Sequence, residues 1–121
     1  MSDKFLFFLT HGLNAPQLAR ACFMFAAISA TMDVDTTVYC IMEGAEVLVK
    51  GNSEKDPVEE GKPNLSQRID EAVKGGVKIM VCDRTLRAKN INPDDLLPSV
   101  KIVGAATLID LALDANGTLT F

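Results

Sequence analysis

Apolar residues run almost unbroken through positions 4–10, KFLFFLT. That length and composition predict a strand covered on both faces, and Thr10, His11, Gly12, Leu13 and Asn14 then supply the punctuation of a turn. Over 14–32 the hydrophobic spacing lengthens to three and four residues. Leu18, Cys22, Phe25, Ser29 and Met32 fall along one face of a helix that Asn14 is placed to cap and whose first turn tolerates Pro16. The same helix is apolar nearly all round, since from 21 to 30 only Ser29 is polar. One sheet-facing stripe does not account for that composition. Ala21, Phe23, Met24, Ala26, Ala27, Ile28 and Ala30 therefore predict a second burial surface on the outer side, most simply a contact between subunits.

A β-branched and apolar run over 36–42 predicts the second strand, ending at Glu43-Gly44. Residues 45–50 suit either a short helix or an extended segment. Residues 52–63 are polar, charged and interrupted by Pro57 and Pro63, which predicts a mobile loop, either a lid or contact arm or a solvated connection. Asn64 with Gln67 three residues on has the form of a capping box. It opens a helix with Leu65, Ile69, Ala72 and Val73 inward and Gly75-Gly76 as its stop. A third strand follows over 77–82, a short basic helix over 83–90, and a turn with one helical turn in it over 92–98. A fourth strand covers 100–103, a last helix 104–114, and Asn116-Gly117 leads into a terminal strand, 118–121. Regular β-α alternation with near-continuous apolar strands predicts one α/β domain over 1–121, a three-layer α/β/α sandwich around a mostly parallel five-stranded sheet.

A chain of 121 residues that is 48% hydrophobic and 23% charged has material for a core without staples. Its net charge of -4 offers no basic field for a nucleic-acid backbone, so nucleic acid is not an expected partner. Residues 1–4 run directly into the apolar stretch 5–9, too short for a signal-peptide core and far too short to span a bilayer. The expectation is a cytoplasmic protein without a membrane partner. Cys22, Cys40 and Cys82 are an odd number at wide spacings, and His11 is the one histidine. Neither a disulfide framework nor a structural zinc site is expected, and no metal site is assigned. No G-x-G-x-x-G or P-loop pattern marks a nucleotide site.

Ligands of open α/β sheets bind beyond the carboxyl ends of the strands, which selects Thr10-His11-Gly12, Glu43-Gly44, Cys82-Asp83-Arg84 and Gly104-Ala105. Cys22 in mid-helix and Cys40 inside a strand are expected to be small core residues. Cys82 closes a strand directly before a helix, where free backbone N–H groups, Arg84 and Arg87 favour a thiolate while Asp83 opposes it. The expected catalytic residue is therefore Cys82. His11 joins it as proton acceptor or orienting donor if the first strand lies beside the third, and otherwise caps its own loop. Arg84, Arg87, Glu43, Gly44 and Gly12 are the substrate-facing candidates, with Glu43 and Gly44 alternatively serving only to fix their turn.

The segment 77–91, VKIMVCDRTLRAKNI, resembles the DsrE/DsrF-like family of small sulfur-relay proteins. There a strand ends in cysteine, followed by a small hydroxyl residue, a basic helix and a basic-small-aliphatic close. Cys82, Thr85, Arg87, Lys89, Asn90 and Ile91 fit this outline, with Asn90 standing where glycine is usual. The opening 7–21 with its Thr10-His11-Gly12 turn, the Glu43-Gly44 turn and the ending 103–121 are similar as well. The resemblance implies a flavodoxin-like domain assembled into homotrimers or homohexamers, acting as a sulfurtransferase or sulfur carrier. Its cysteine would pass sulfane sulfur, as a persulfide, from a donor protein to an acceptor protein, with no metal or organic cofactor. Two other readings of the residues stand beside it. One is a non-catalytic oligomeric module holding a small anion or metabolite on the amides after Gly104 and beside Arg84; the other is a thiol peroxidase.

Overall fold

The computed structural model describes residues 3–121, so Met1 and Ser2 of the opening segment lie outside the described residues. In chain order it comprises β1 (Lys4–Leu9), α1 (Pro16–Thr31), β2 (Asp35–Cys40), α2 (Glu43–Glu46), α3 (Leu65–Lys74), β3 (Lys78–Cys82), α4 (Asp83–Ala88), β4 (Val100–Val103), α5 (Ala105–Asp114) and β5 (Gly117–Thr120). The five strands form one sheet in the order β4-β3-β2-β1-β5, and every pairing is parallel. The last strand therefore lies against the first.

Alternation along the strands divides the apolar residues between two faces. Phe7, Leu9, Val38, Cys40, Ile79 and Val81 point into the larger core, shared with α1, α3, Leu86 of α4 and the Val47–Leu48 turn. Leu6, Tyr39 and Cys82 point to the opposite face, where Leu108 and Leu111 of α5 cover them. The two sides are unequal. No residue of α5 is buried, and its Ile109 and Leu113 face outward, 59% and 81% exposed.

α1 departs from its expected orientation. Ala19, Cys22, Phe23, Ala26, Ala27 and Ser29 are the buried positions, while Leu18, Phe25, Ile28 and Met32 remain exposed. The helix packs against both α3 and the sheet, and the small side chains of Ala19, Ala26 and Ala27 allow that close double contact. Much of the apolar composition assigned to an outer surface is thus buried within the chain. Asn14 is not the helix cap. The residue before a proline is driven out of the helical region, so Ala15 (φ -149°, ψ 68°) takes the cap position ahead of Pro16 without a side-chain bond. The Asn14 Oδ1 instead accepts from the Gly12 N–H at 2.8 Å and organises the turn after β1.

The loop over 52–63 is pinned rather than loose at its centre. Asp56 is buried, accepts two bonds from Arg20 Nη1 (2.7 and 2.9 Å) and one from the Leu65 N–H (2.7 Å), and its carbonyl takes Asn64 Nδ2 at 2.9 Å. α3 begins directly after it with the expected capping box, Gln67 N–H to Asn64 Oδ1 and Asn64 N–H to Gln67 Oε1.

Candidate functional site

Cys82 is the cap residue of α4, the point where β3 turns into a helix without a loop between them. Its backbone is extended (φ -74°, ψ 126°), the conformation of a helix cap, which places the residue at the first-turn N–H groups of Arg84 and Thr85 without a cap hydrogen bond from its side chain. Burial alone pushes the thiol up. The nearby Thr85 and Arg84 N–H groups and the Tyr39 hydroxyl, which favour the charged form, outweigh it, and the thiol ends below its ordinary value near 9 despite the Asp83 charge. The residue is only 7% exposed, less open than a strand-end position suggests, because Tyr39, Val103 and Leu108 pack around this face.

Tyr39 is absent from the sequence-derived site. It lies on β2 opposite Met80, on the same face of the sheet as Cys82 and completely buried, with its ring stacked on Phe8 at 6.1 Å. Its hydroxyl donates to the Gly104 carbonyl at 3.1 Å, and the residue packs with Cys82 in one buried cluster. The signal available in sequence was parity: a lone phenol one residue before the end of the neighbouring strand. Reading it required the strand order.

The strand order also relocates His11. β2 lies between β1 and β3, so the ends of the first and third strands are separated by two strand spacings, about 10 Å. The premise that placed His11 beside Cys82 is therefore corrected. Its Nδ1 lies 3.1 Å from Thr10 Oγ1, a hydroxyl that donates to the Phe121 carbonyl, and the ring adds a favourable charge interaction to Glu43.

Gly12 and Gly44 are both buried. A Cβ on Gly12 would stand 2.2 Å from the Glu43 carbonyl oxygen, and one on Gly44 would stand 2.4 Å from the Leu9 carbonyl oxygen. The turns after β1 and β2 are thus interlocked backbone to backbone, which leaves these glycines no open surface. Glu43 is held below the usual carboxylate range by its own backbone N–H and by Lys89, whose Nζ lies 3.2 Å from Glu43 and 2.8 Å from Glu46. This clasp ties α2 to the end of α4. Asn90, just beyond it, has φ 54°, a left-handed conformation that glycine adopts freely and asparagine better than most residues, so the backbone accommodates the departure from the family outline.

Arg84 is exposed and lines an open hollow of about 350 Å³ with Met42, Thr85, Ala88 and Lys89. Arg87 is also exposed and pairs with Asp83 at 3.6 Å, which weakens the one carboxylate opposing the thiolate. Met42, at the mouth of β2, adopts φ 53°, ψ -132°, a strained conformation for a non-glycine residue, and its N–H lies 3.5 Å from Thr85 Oγ1. Among the described residues no three histidine, cysteine, aspartate or glutamate side chains come together as a metal-binding set. Among them, too, no helix is long and apolar enough to cross a membrane.

The model of the DsrE/DsrF-like family matches residues 3–121. An uncharacterized protein of Methanocaldococcus jannaschii, MJ0760, is 30% identical over 116 residues, covering 94% of this chain but 41% of that protein. The chain thus spans about two-fifths of that relative's length. The fold is similar to the ychN protein of E. coli (TM-score 0.79, 15% identity, 100% of both chains covered). It is similar also to MTH1491 of Methanobacterium thermoautotrophicum, a protein of unknown function (TM-score 0.74, 19% identity, 99% of this chain and 100% of that one). At these identities the two structures establish a shared fold.

Proposed function

Since the chain belongs to the DsrE/DsrF-like family, we propose that it is a sulfur carrier in which Cys82 holds sulfane sulfur between a donor and an acceptor protein. The observation that carries this reading is the difference among three thiols of one chain. Burial pushes Cys22 up to about 12 and Cys40 well above its ordinary value, while Cys82 alone is lowered. A thiolate is the reactive form in sulfur exchange. The Cys82 thiolate attacks the outer sulfur of a donor cysteine persulfide, the donor S–S bond breaks, and the donor cysteine leaves as a thiolate. The outer sulfur is then the terminus of a Cys82 persulfide, and an acceptor thiolate removes it by the same exchange. No electrons are gained or lost overall.

The Thr85 and Arg84 N–H groups that favour the thiolate also suit the anionic persulfide, and exposed Arg84 offers a positive charge to an approaching partner. We assign the chain a homo-oligomeric state, with the uncovered side of α5 as its contact. Intact-mass measurement after incubation with a cysteine persulfide donor tests the carrier reading. One added sulfur mapped to Cys82 and absent from Cys82→Ser is expected. Equal loading of the serine variant, or no loading of the unaltered chain, overturns it.

A further inference from the structure

We propose that Tyr39 is a positioning residue for Cys82, its buried hydroxyl turning from the Gly104 carbonyl to the sulfur when that sulfur becomes anionic. The inference rests on Cys82 being the reactive group. Its geometric basis is a phenol bonded to a carbonyl and packed beside a thiol. The ring is fixed on one side by Phe8, its register neighbour on β1, and the hydroxyl sits 3.1 Å from the carbonyl of Gly104, the residue after Val103, which pairs with Cys82; Tyr39 and Cys82 share one buried cluster. A phenol donates one hydrogen bond at a time. Toward a neutral thiol, the carbonyl is the better acceptor. Toward a thiolate or persulfide, the charge-assisted bond is about twice as strong as a neutral one, and the donor changes sides. Releasing Gly104 costs little because that residue is exposed and water can take its carbonyl.

Tyr39 keeps its own proton throughout. Burial first, then the bond to Cys82, raises the phenol well above its ordinary value, so it acts as a donor and not as a base. Few charges compete on this face. β2 contributes Tyr39, and α4 contributes Asp83, whose charge is partly offset by Arg87. β4 and α5 bring the apolar Val103 and Leu108. Bound this way, the sulfur is held between the α4 amides and the β2 phenol, which fixes its direction as well as its charge.

Tyr39→Phe keeps the ring and removes the bond. Iodoacetamide alkylation of Cys82, followed by peptide mass mapping across pH on the full chain, is expected to show the midpoint moved upward. The rate near pH 7 should fall about tenfold, with an unchanged alkaline plateau. A profile that superimposes on the unaltered protein overturns the proposal. Should the variant not fold, the unaltered chain decides, because Tyr39 is its one tyrosine. The ring carbon bearing the hydroxyl, followed by NMR, should shift with the same midpoint as Cys82 alkylation and lose that step in Cys82→Ser; no step in the unaltered chain refutes the inference. Sulfur loading on the same samples separates the two readings. A moved profile without loading removes the carrier function and supports Tyr39, whereas loading with an unmoved profile removes only Tyr39's role.

Discussion

Cys22 and Cys40 contribute to the main core with no exposed surface, and Cys82 retains 7% at a helix start. The order of alkylation under native conditions should therefore be Cys82 first, with Cys22 and Cys40 reacting only on unfolding; labelling of either before Cys82 contradicts it. The same thiols set the alkaline limb of stability with opposite signs. Cys22 and Cys40 titrate higher folded than unfolded, so their contribution is complete below the unfolded thiol value near 9 and lost as pH rises toward the folded values, about 12 for Cys22. Cys82 titrates lower folded than unfolded, so its contribution is present above the unfolded value and lost as pH falls through the folded one. Above about pH 9 the Cys82 contribution is constant while those of Cys22 and Cys40, joined by buried Tyr39, fall, so urea midpoints should decline between about pH 9 and 12, and a Cys22→Ala variant should show a shallower decline. A midpoint flat across that interval refutes the assignment. Cys82 was legible in sequence because a strand running straight into a helix is a local pattern. Tyr39 and the true place of His11 were not, because both depend on which strands are neighbours.

Local signals also located most of the elements, and failed where a partner lies far along the chain. The Asn64–Gln67 capping box, the strands and the closing helix follow from spacing within a few residues. The inner face of α1 does not, because α3 competes with the sheet for it and selects alanines over Leu18, Phe25 and Met32. Nor does the anchoring of the 52–63 loop, since nothing local joins Asp56 to Arg20, 36 residues earlier. Asp56→Ala strips the Leu65 N–H and Arg20 of their shared acceptor. Because Arg20 remains a third exposed and can rehydrate, the expected loss is about 2–3 kcal/mol in chemical unfolding. Asn64→Ala, which removes the cap of α3 and the bond to the Asp56 carbonyl, should cost about 1–2 kcal/mol. Losses below about half a kcal/mol for either would mean the loop is not anchored this way.

At the scale of the molecule, the sheet is well covered on the α1–α3 side and thinly covered by α5, whose Ile109 and Leu113 point outward. The compositional expectation of a subunit contact placed it on α1. Burial of Phe23, Ala26 and Ala27 within the chain narrows that surface to Leu18, Phe25 and Ile28, and α5, none of whose residues is buried, adds Ile109 and Leu113 on the opposite side of the sheet. Size exclusion with light scattering should give a multiple of the chain mass, trimer or hexamer, and Ile109→Asp with Leu113→Asp should yield a folded monomer. An assembly unaffected by the pair returns the contact to α1, and a monodisperse monomer of the unaltered chain removes it altogether. The pairing of β5 with β1 has a further consequence, in time rather than in space. Lys4 and Asn116, which bond across that join, are 112 residues apart. At roughly 5–20 residues per second, a ribosome takes about 6–20 s to make the stretch between them. Throughout that interval one edge of the first strand stays open, and Cys82, made later, waits about 2–6 s at the same rate for the end of α5, so the thiol is most accessible to oxidants while the chain is still being synthesised.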